Sequence, residues 1–264
     1  MPTQIALQMY TLRDYTKTAQ DFAHTLERVH HIGYEAVQLS AVGAMDGEKP
    51  QVTAAEGRKL LDANGIRCAA THRDWKSLSQ NTSHEIDFHH ALGCNFTAIG
   101  SLPGEYSKAG AEGFRRFIAD SAPILARLKA AGIRWGYHNH AQEFERFGLP
   151  QQTLFDIFIE EGGADFTLEI DVFWAVHAGV NPERLFERLK NRVVLIHAKD
   201  KEVTPKDGPV MSPVGEGNID WDGILKACRA ANVEWYAVEQ DVCRRDPFDC
   251  VRSSYTFLRS KGLS

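Results

Sequence analysis

Apolar and polar residues along this chain follow two alternating rhythms. Short, nearly continuous apolar runs occupy residues 4–10, 34–39, 66–72, 95–99, 135–140, 166–171, 193–200 and 235–239. Between them, apolar residues recur at three- and four-residue spacing. Continuous runs of this kind predict strands buried on both faces, and the wider spacing predicts amphipathic helices. Helices are expected over 18–32, 53–63, 83–92, 111–131, 151–161, 173–178, 220–231 and 247–261, with one more opened by Pro182 at its first position. Phe22, Leu26 and Val29 line one face of the first, and Thr53 with Glu56 forms a capping box for the second. Gly33, Gly93, Gly132 and Gly162-Gly163 read as helix stops. The Pro- and Gly-rich stretch 201–218 reads as a long polar loop.

Every gap between runs is long enough for a parallel crossover, which needs about a dozen residues. No linker or low-complexity segment interrupts the series. The pattern predicts a single-domain (β/α)8 TIM barrel over residues 1–264, a length close to the roughly 250 residues typical of that fold. An open doubly wound sheet is the competitor, but no G-x-G-x-x-G follows the first run.

The ends of the last four runs carry the chemistry. Val193–Asp200 opens without a polar residue and closes on His197, Lys199 and Asp200; the neighbouring runs end at His138, Asp171 and Glu239. In a barrel with its site at the C-terminal ends of the strands, these side chains converge. Buried there, they must bind one another, a cation or a substrate. Carboxylates with imidazole suit Mn²⁺, Mg²⁺, Co²⁺ or Zn²⁺ better than a thiolate-seeking metal. Taken singly, each could equally be a rim ion pair, for instance Glu239 with Lys199.

Six segments in order give the chain a resemblance to xylose-isomerase-like TIM barrels, a superfamily of sugar isomerases and epimerases, inosose-dehydratase-like enzymes and endonuclease IV relatives. They are 7–13, 136–144, 169–171, 196–200, 214–217 and 238–241. The resemblance implies one divalent ion held by Glu, Asp, His and Glu from strands five to eight. The last three carry over onto Asp171, His197 and Glu239. Strand five departs: His138 stands at the usual glutamate position, and the nearest carboxylate is Glu143 in the loop beyond. Either His138 ligates or the loop folds back to bring Glu143 in; the preference of hard ions for carboxylate points to Glu143.

The resemblance further implies proton abstraction beside a metal-chelated carbonyl, through an enediolate. Glu239 and His140 are the candidate acid–base pair, with Lys199 stabilising the developing charge. Arg13, His72, Trp174 and Glu216 are candidate sugar-binding residues at other rim positions, where ordinary packing is the competing role. Isomerase or epimerase is the leading expectation for a keto-sugar or polyol. A dehydratase or lyase on a keto-sugar or inosose comes second, and a non-catalytic sugar-binding protein third.

Composition narrows this picture. Lys and Arg total 30 against 35 Asp and Glu, a net charge of −5, which offers no footprint for nucleic acid or anionic membrane. Strands two and four end on Ser40 and Ser101 without ligands, which also argues against a multi-metal endonuclease. The five cysteines form no C-x-x-C pair and read as buried thiols. His30-His31 and His89-His90 read as solvated outer-face residues. Residues 1–4 show no leader, and no run approaches the roughly 18 apolar residues of a membrane span, so a cytoplasmic protein is expected. A homo-oligomer is compatible with the outer helices, although none carries an unmistakable second apolar stripe.

Overall fold

The computed structural model describes residues 4–148 and 152–264. The leader reading at residues 1–3 and the helix start expected at Gln151 lie outside them. Eight strands form the barrel: β1 (Ile5–Gln8), β2 (Ala36–Leu39), β3 (Arg67–His72), β4 (Phe96–Ile99), β5 (Arg134–His138), β6 (Thr167–Asp171), β7 (Val193–Ala198) and β8 (Trp235–Val238). Each pairs in parallel with its neighbours in chain order, and β1 pairs with β8, so the sheet closes with no free edge. Helices connect the strands and pack around them. The first, Ala19–Ile32, is capped by Thr18, whose hydroxyl accepts from Asp21 N, and buries Phe22, Leu26 and Val29. Gly33 ends it at φ 121°, where a Cβ would also come within 2.6 Å of the Tyr255 ring.

Inside the barrel, side chains stack in layers. The lower layer is apolar and mostly small: Ala6, Ala36, Ala70, Leu195 and Ala237 surround the ring of Phe96. Gly136 on β5 leaves room for that ring, since a Cβ there would lie 2.8 Å from Phe96 Cζ. Gly136→Ala is therefore expected to cost about 1–3 kcal/mol by overpacking. Urea unfolding would measure it, and an unchanged midpoint would mean that the ring has space to move.

Above this layer the interior turns polar. The period-2 alternation of β6 sends Leu168 and Ile170 to the helices, and Glu169 and Asp171 inward. On β7 the same alternation turns Leu195 and His197 inward, and Lys199 follows just past the strand end. Gln38, Glu169, Asp171 and His197 are all fully buried.

The structure corrects three expectations. Segment 201–218 is no simple loop: Asp200–Thr204 and Gly208–Ser212 pair as an antiparallel hairpin. Asp200 then gathers the residues beyond it, accepting from the backbone N–H groups of Lys201, Gly215, Gly217 and Ile219 and from the Trp221 indole. A helix at Trp75–Gln80 stands where none was expected. His89 is fully buried, contacting Thr71 Oγ1 at 2.7 Å and the Glu85 carbonyl at 2.6 Å. It shares the inward face of its helix with Thr82, Glu85 and Leu92. His90 beside it is exposed, as expected. Among the described residues no helix is long and apolar enough to cross a membrane.

Candidate metal centre

Asp171 ends β6 and pairs in register with His197 on β7, while Ala237 of β8 pairs with His197 from the other side. Glu239 thus stands one inward-facing step above, and its side chain brings Oε2 to 2.7 Å from His197 Nδ1. His138 ends β5, with Nε2 3.5 Å from Asp171 Oδ2. One donor atom from each of these four residues lies within 4.8 Å of the others.

Each of the four carries a buried atom without an aligned hydrogen-bond partner: His138 Nε2, Asp171 Oδ2, His197 Nδ1 and Glu239 Oε2. In His138, Asp171 and His197 the other polar atom is already engaged. His138 Nδ1 donates to the Gly100 carbonyl at 3.2 Å, which leaves the Nε2 lone pair free. Asp171 Oδ1 accepts from Trp174 N at 2.9 Å as the N-cap of helix Val172–His177. His197 Nε2 points away, to Gln38 Oε1 and Glu169 Oε1, each at 2.9 Å. Two carboxylates and two imidazoles turned toward one point are a donor set that can bind a divalent ion.

Charge at the centre is balanced by Lys199. Its ammonium is almost fully buried, 3.0 Å from Asp171 Oδ2, 2.8 Å from Glu239 Oε2 and 3.0 Å from Asp241 Oδ1. Burial alone would raise both centre carboxyls, but Lys199, His138 and His197 outweigh it and hold Asp171 and Glu239 below the ordinary range. Burial works to lower His197 as well, yet Glu239 and Glu169 push it up to about 10. His138 goes the other way, to about 4, because burial and the charge on His197 both disfavour its protonation. Burial also lowers His140, and burial with repulsion from Glu239 raises Asp241.

A cavity of about 1000 Å³ opens above the centre. His138, His140, Lys199, Glu239, Asp241 and His72 line its inner end, and Arg73, Trp75, Lys76 and Glu105 its outer wall. Of the residues singled out in the sequence, then, His72, His138, His140, Lys199 and Glu239 face this space.

Four others do not. Glu143, expected as the strand-five ligand, is fully buried elsewhere: it accepts from Tyr137 Oη at 2.7 Å and from His140 N at 2.8 Å. The residue at the centre is His138. Glu216 is drawn outward into an ion pair with Arg245 and a contact with Ser253 Oγ, because Asp200 holds the flanking glycines. Arg13 braces the rim by donating to the carbonyls of Tyr10 and Asp241. Trp174 lies behind His140, with ring centroids 5.6 Å apart.

Sequence reading passed over Gln38, Glu169, Asp241, Arg73 and the Trp75–Gln80 helix. The inward parity of Glu169 with Asp171 was the available signal for one of them. Arg73, which Glu85 holds in a two-pronged pair at 2.7 and 2.8 Å, is a strand-end residue like its neighbour His72.

The sequence pattern of xylose isomerase-like TIM barrels matches residues 26–261. No curated protein matches the chain. Among solved structures, a sugar phosphate isomerase/epimerase from Parabacteroides distasonis is 23% identical at TM-score 0.82, covering 100% of this chain and 96% of its own. An L-ribulose 3-epimerase is 16% identical at TM-score 0.71, over 99% and 94% of the two chains. A probable 3-DHS dehydratase from Bacillus anthracis is 12% identical at TM-score 0.71, over 97% and 99%. At these identities the likeness shows the shared fold.

Proposed function

The chain belongs to the xylose isomerase-like TIM barrel family, and from that premise we propose that it is a divalent-metal-dependent enzyme that isomerises or epimerises a keto-sugar or polyol. The observation that carries this reading is the set of four buried atoms on His138, Asp171, His197 and Glu239 that lack an aligned hydrogen bond and lie close enough together to share one ion, beneath a sugar-sized opening. These four residues would hold the ion. Once bound, it supplies a positive charge that acidifies the C–H between a carbonyl and its neighbouring hydroxyl.

The chain's own groups do the rest. Glu239 is held below the ordinary carboxylate range and faces the cavity, so it can take that proton; His140, whose charged form burial disfavours and which also faces the cavity, can return one after taking up the proton of the substrate hydroxyl. Lys199 places a fixed ammonium where negative charge develops on the substrate oxygen, with no reorientation needed. His72 and Asp241 are placed to hydrogen-bond hydroxyls. Among the described residues, Arg73 and Lys199, two of the three cations lining the cavity, are already ion-paired, which leaves Lys76 on the outer wall as the cation that a charged substituent of the sugar would meet.

One feature favours a second reading. With Glu143 sequestered, the acid–base pair is one carboxylate and one imidazole, an asymmetry suited to removing a proton and assisting a departing hydroxyl. The likeness to a probable dehydratase supports this alternative, a keto-sugar or inosose dehydratase.

Incubation with Mn²⁺ in deuterated water across a panel of ketoses and inososes tests both readings by NMR. Solvent deuterium at one carbon is the expected outcome, retained in an isomer or epimer under the first reading and accompanied by loss of water under the second. No exchange into any member would contradict both and favour a binding protein.

A further inference from the structure

Glu169 lies at the middle of the barrel, fully buried beneath the centre, and does not line the cavity. Its Oε1 meets two imidazoles, His72 Nε2 at 2.5 Å and His197 Nε2 at 2.9 Å. Its Oε2 accepts from Gln38 Nε2 at 2.8 Å. That bond fixes which way the Gln38 amide points, so Gln38 Oε1, 2.9 Å from His197 Nε2, is a second acceptor for the same imidazole N–H. An ionised carboxylate only accepts hydrogen bonds, so both rings must present N–H at Nε2. In a neutral ring the other nitrogen is then a bare acceptor.

We propose that Glu169, steadied by Gln38, is a positioning residue that sets two imidazoles at once, turning His197 Nδ1 toward the ion and His72 Nδ1 toward a substrate hydroxyl. The His197 half rests on the metal-dependent reading above, and the His72 half does not. Three further facts support the arrangement. His197 Nδ1 faces Glu239 and Asp171, at 2.7 and 3.8 Å, on the side opposite Glu169. The two rings lie nearly parallel, at 27° with centroids 5.4 Å apart, so one carboxylate oxygen can serve both edges. Gly100 lines the cavity, and a Cβ there would stand 3.3 Å from His72 Nδ1, so glycine keeps the approach to that nitrogen clear.

A purely packing role explains this poorly. An apolar side chain would fill the position without the cost of burying a charge, as Leu195, its register partner on β7, does. Outer carboxylates that orient a ligating imidazole are a general device of metal sites, and their loss weakens metal binding by about 10- to 100-fold.

The test uses protein labelled with ¹⁵N in its histidines, stripped of metal and studied at pH 8.5 by long-range ¹H–¹⁵N NMR, so that His72 is read without ion or substrate. The wild type is expected to show His72 protonated at Nε2 and bare at Nδ1, and Glu169→Gln to lose that preference. Zn²⁺ affinity by chelator competition is expected to fall about 10- to 100-fold in Glu169→Gln with the circular dichroism spectrum retained. A proton on His72 Nδ1 in the wild type, as the other tautomer or as the imidazolium, would overturn the proposal. So would a folded Glu169→Gln with unchanged His72 signals and unchanged Zn²⁺ affinity. Should Glu169→Gln fail to fold, Gln38→Leu keeps the charge but removes its anchor; a smaller loss of Zn²⁺ affinity is expected, and none at all would count against the proposal. A wild type that binds no Zn²⁺ would remove the metal reading, and the His72 spectrum would still decide this one.

Discussion

Asp171→Asn is expected to weaken Mn²⁺ binding more than about 100-fold while the protein stays folded. The two carboxylate oxygens of Asp171 do separate jobs. Oδ1 caps helix Val172–His177 through Trp174 N, and asparagine caps a helix about as well as aspartate. Oδ2 has no aligned hydrogen bond and faces His138, His197 and the Lys199 ammonium, the last at 3.0 Å. The substitution therefore removes the charge that an ion would meet and spares the fold around it. Lys199 keeps Glu239 and Asp241 as partners, so no cation is stranded. The loss should exceed the 10- to 100-fold that accompanies removal of an outer carboxylate, because a direct donor is lost. Calorimetric titration of chelator-stripped protein measures it, and wild-type affinity in the variant would remove Asp171 from the centre.

His140→Asn should show the converse behaviour: metal affinity held within a few-fold, and C–H exchange reduced by about 10²- to 10⁴-fold, the range for loss of one acid–base group. The ring of His140 lines the cavity but is not one of the four residues converging on the centre, and its backbone N–H rather than its imidazole holds Glu143. Glu239→Gln should lose both properties, since Glu239 faces the centre and the cavity together. Single-turnover exchange measured at saturating Mn²⁺ separates the two effects. Equal loss of metal affinity in both variants would make His140 a ligand or a structural support instead of a proton-transfer group.

Much of the barrel was legible because strand and helix impose different spacings on the same apolar residues. The convergence of Asp171, His197 and Glu239 was legible for the same reason: parity along a buried strand decides which side chains enter the barrel. What failed was local. Nothing in the order His138, Asn139, His140, Glu143 says that Tyr137 will offer its hydroxyl to Glu143 and keep that carboxylate in the shell. Glu216 sits in a family-like segment, but its direction depends on Asp200, a residue fifteen or so positions earlier that collects the N–H groups of the loop. Glu169 stands in a family-like segment with no role of its own in the sequence, and its meaning appears only when β2 and β3 bring Gln38 and His72 to it. His89 could have been found, since Thr82, Glu85 and Leu92 share its helix face. The cue was obscured by the exposed histidine beside it.

The most direct measurement is the metal stoichiometry of chelator-stripped protein titrated with Mn²⁺ and followed by the electron paramagnetic resonance of the free ion. One tightly held ion per wild-type chain, with that step absent from Asp171→Asn and from His197→Ala, is the predicted result. No saturable step in the wild type, or the same step in all three proteins, would contradict a shared ion site at the ends of β5 to β8.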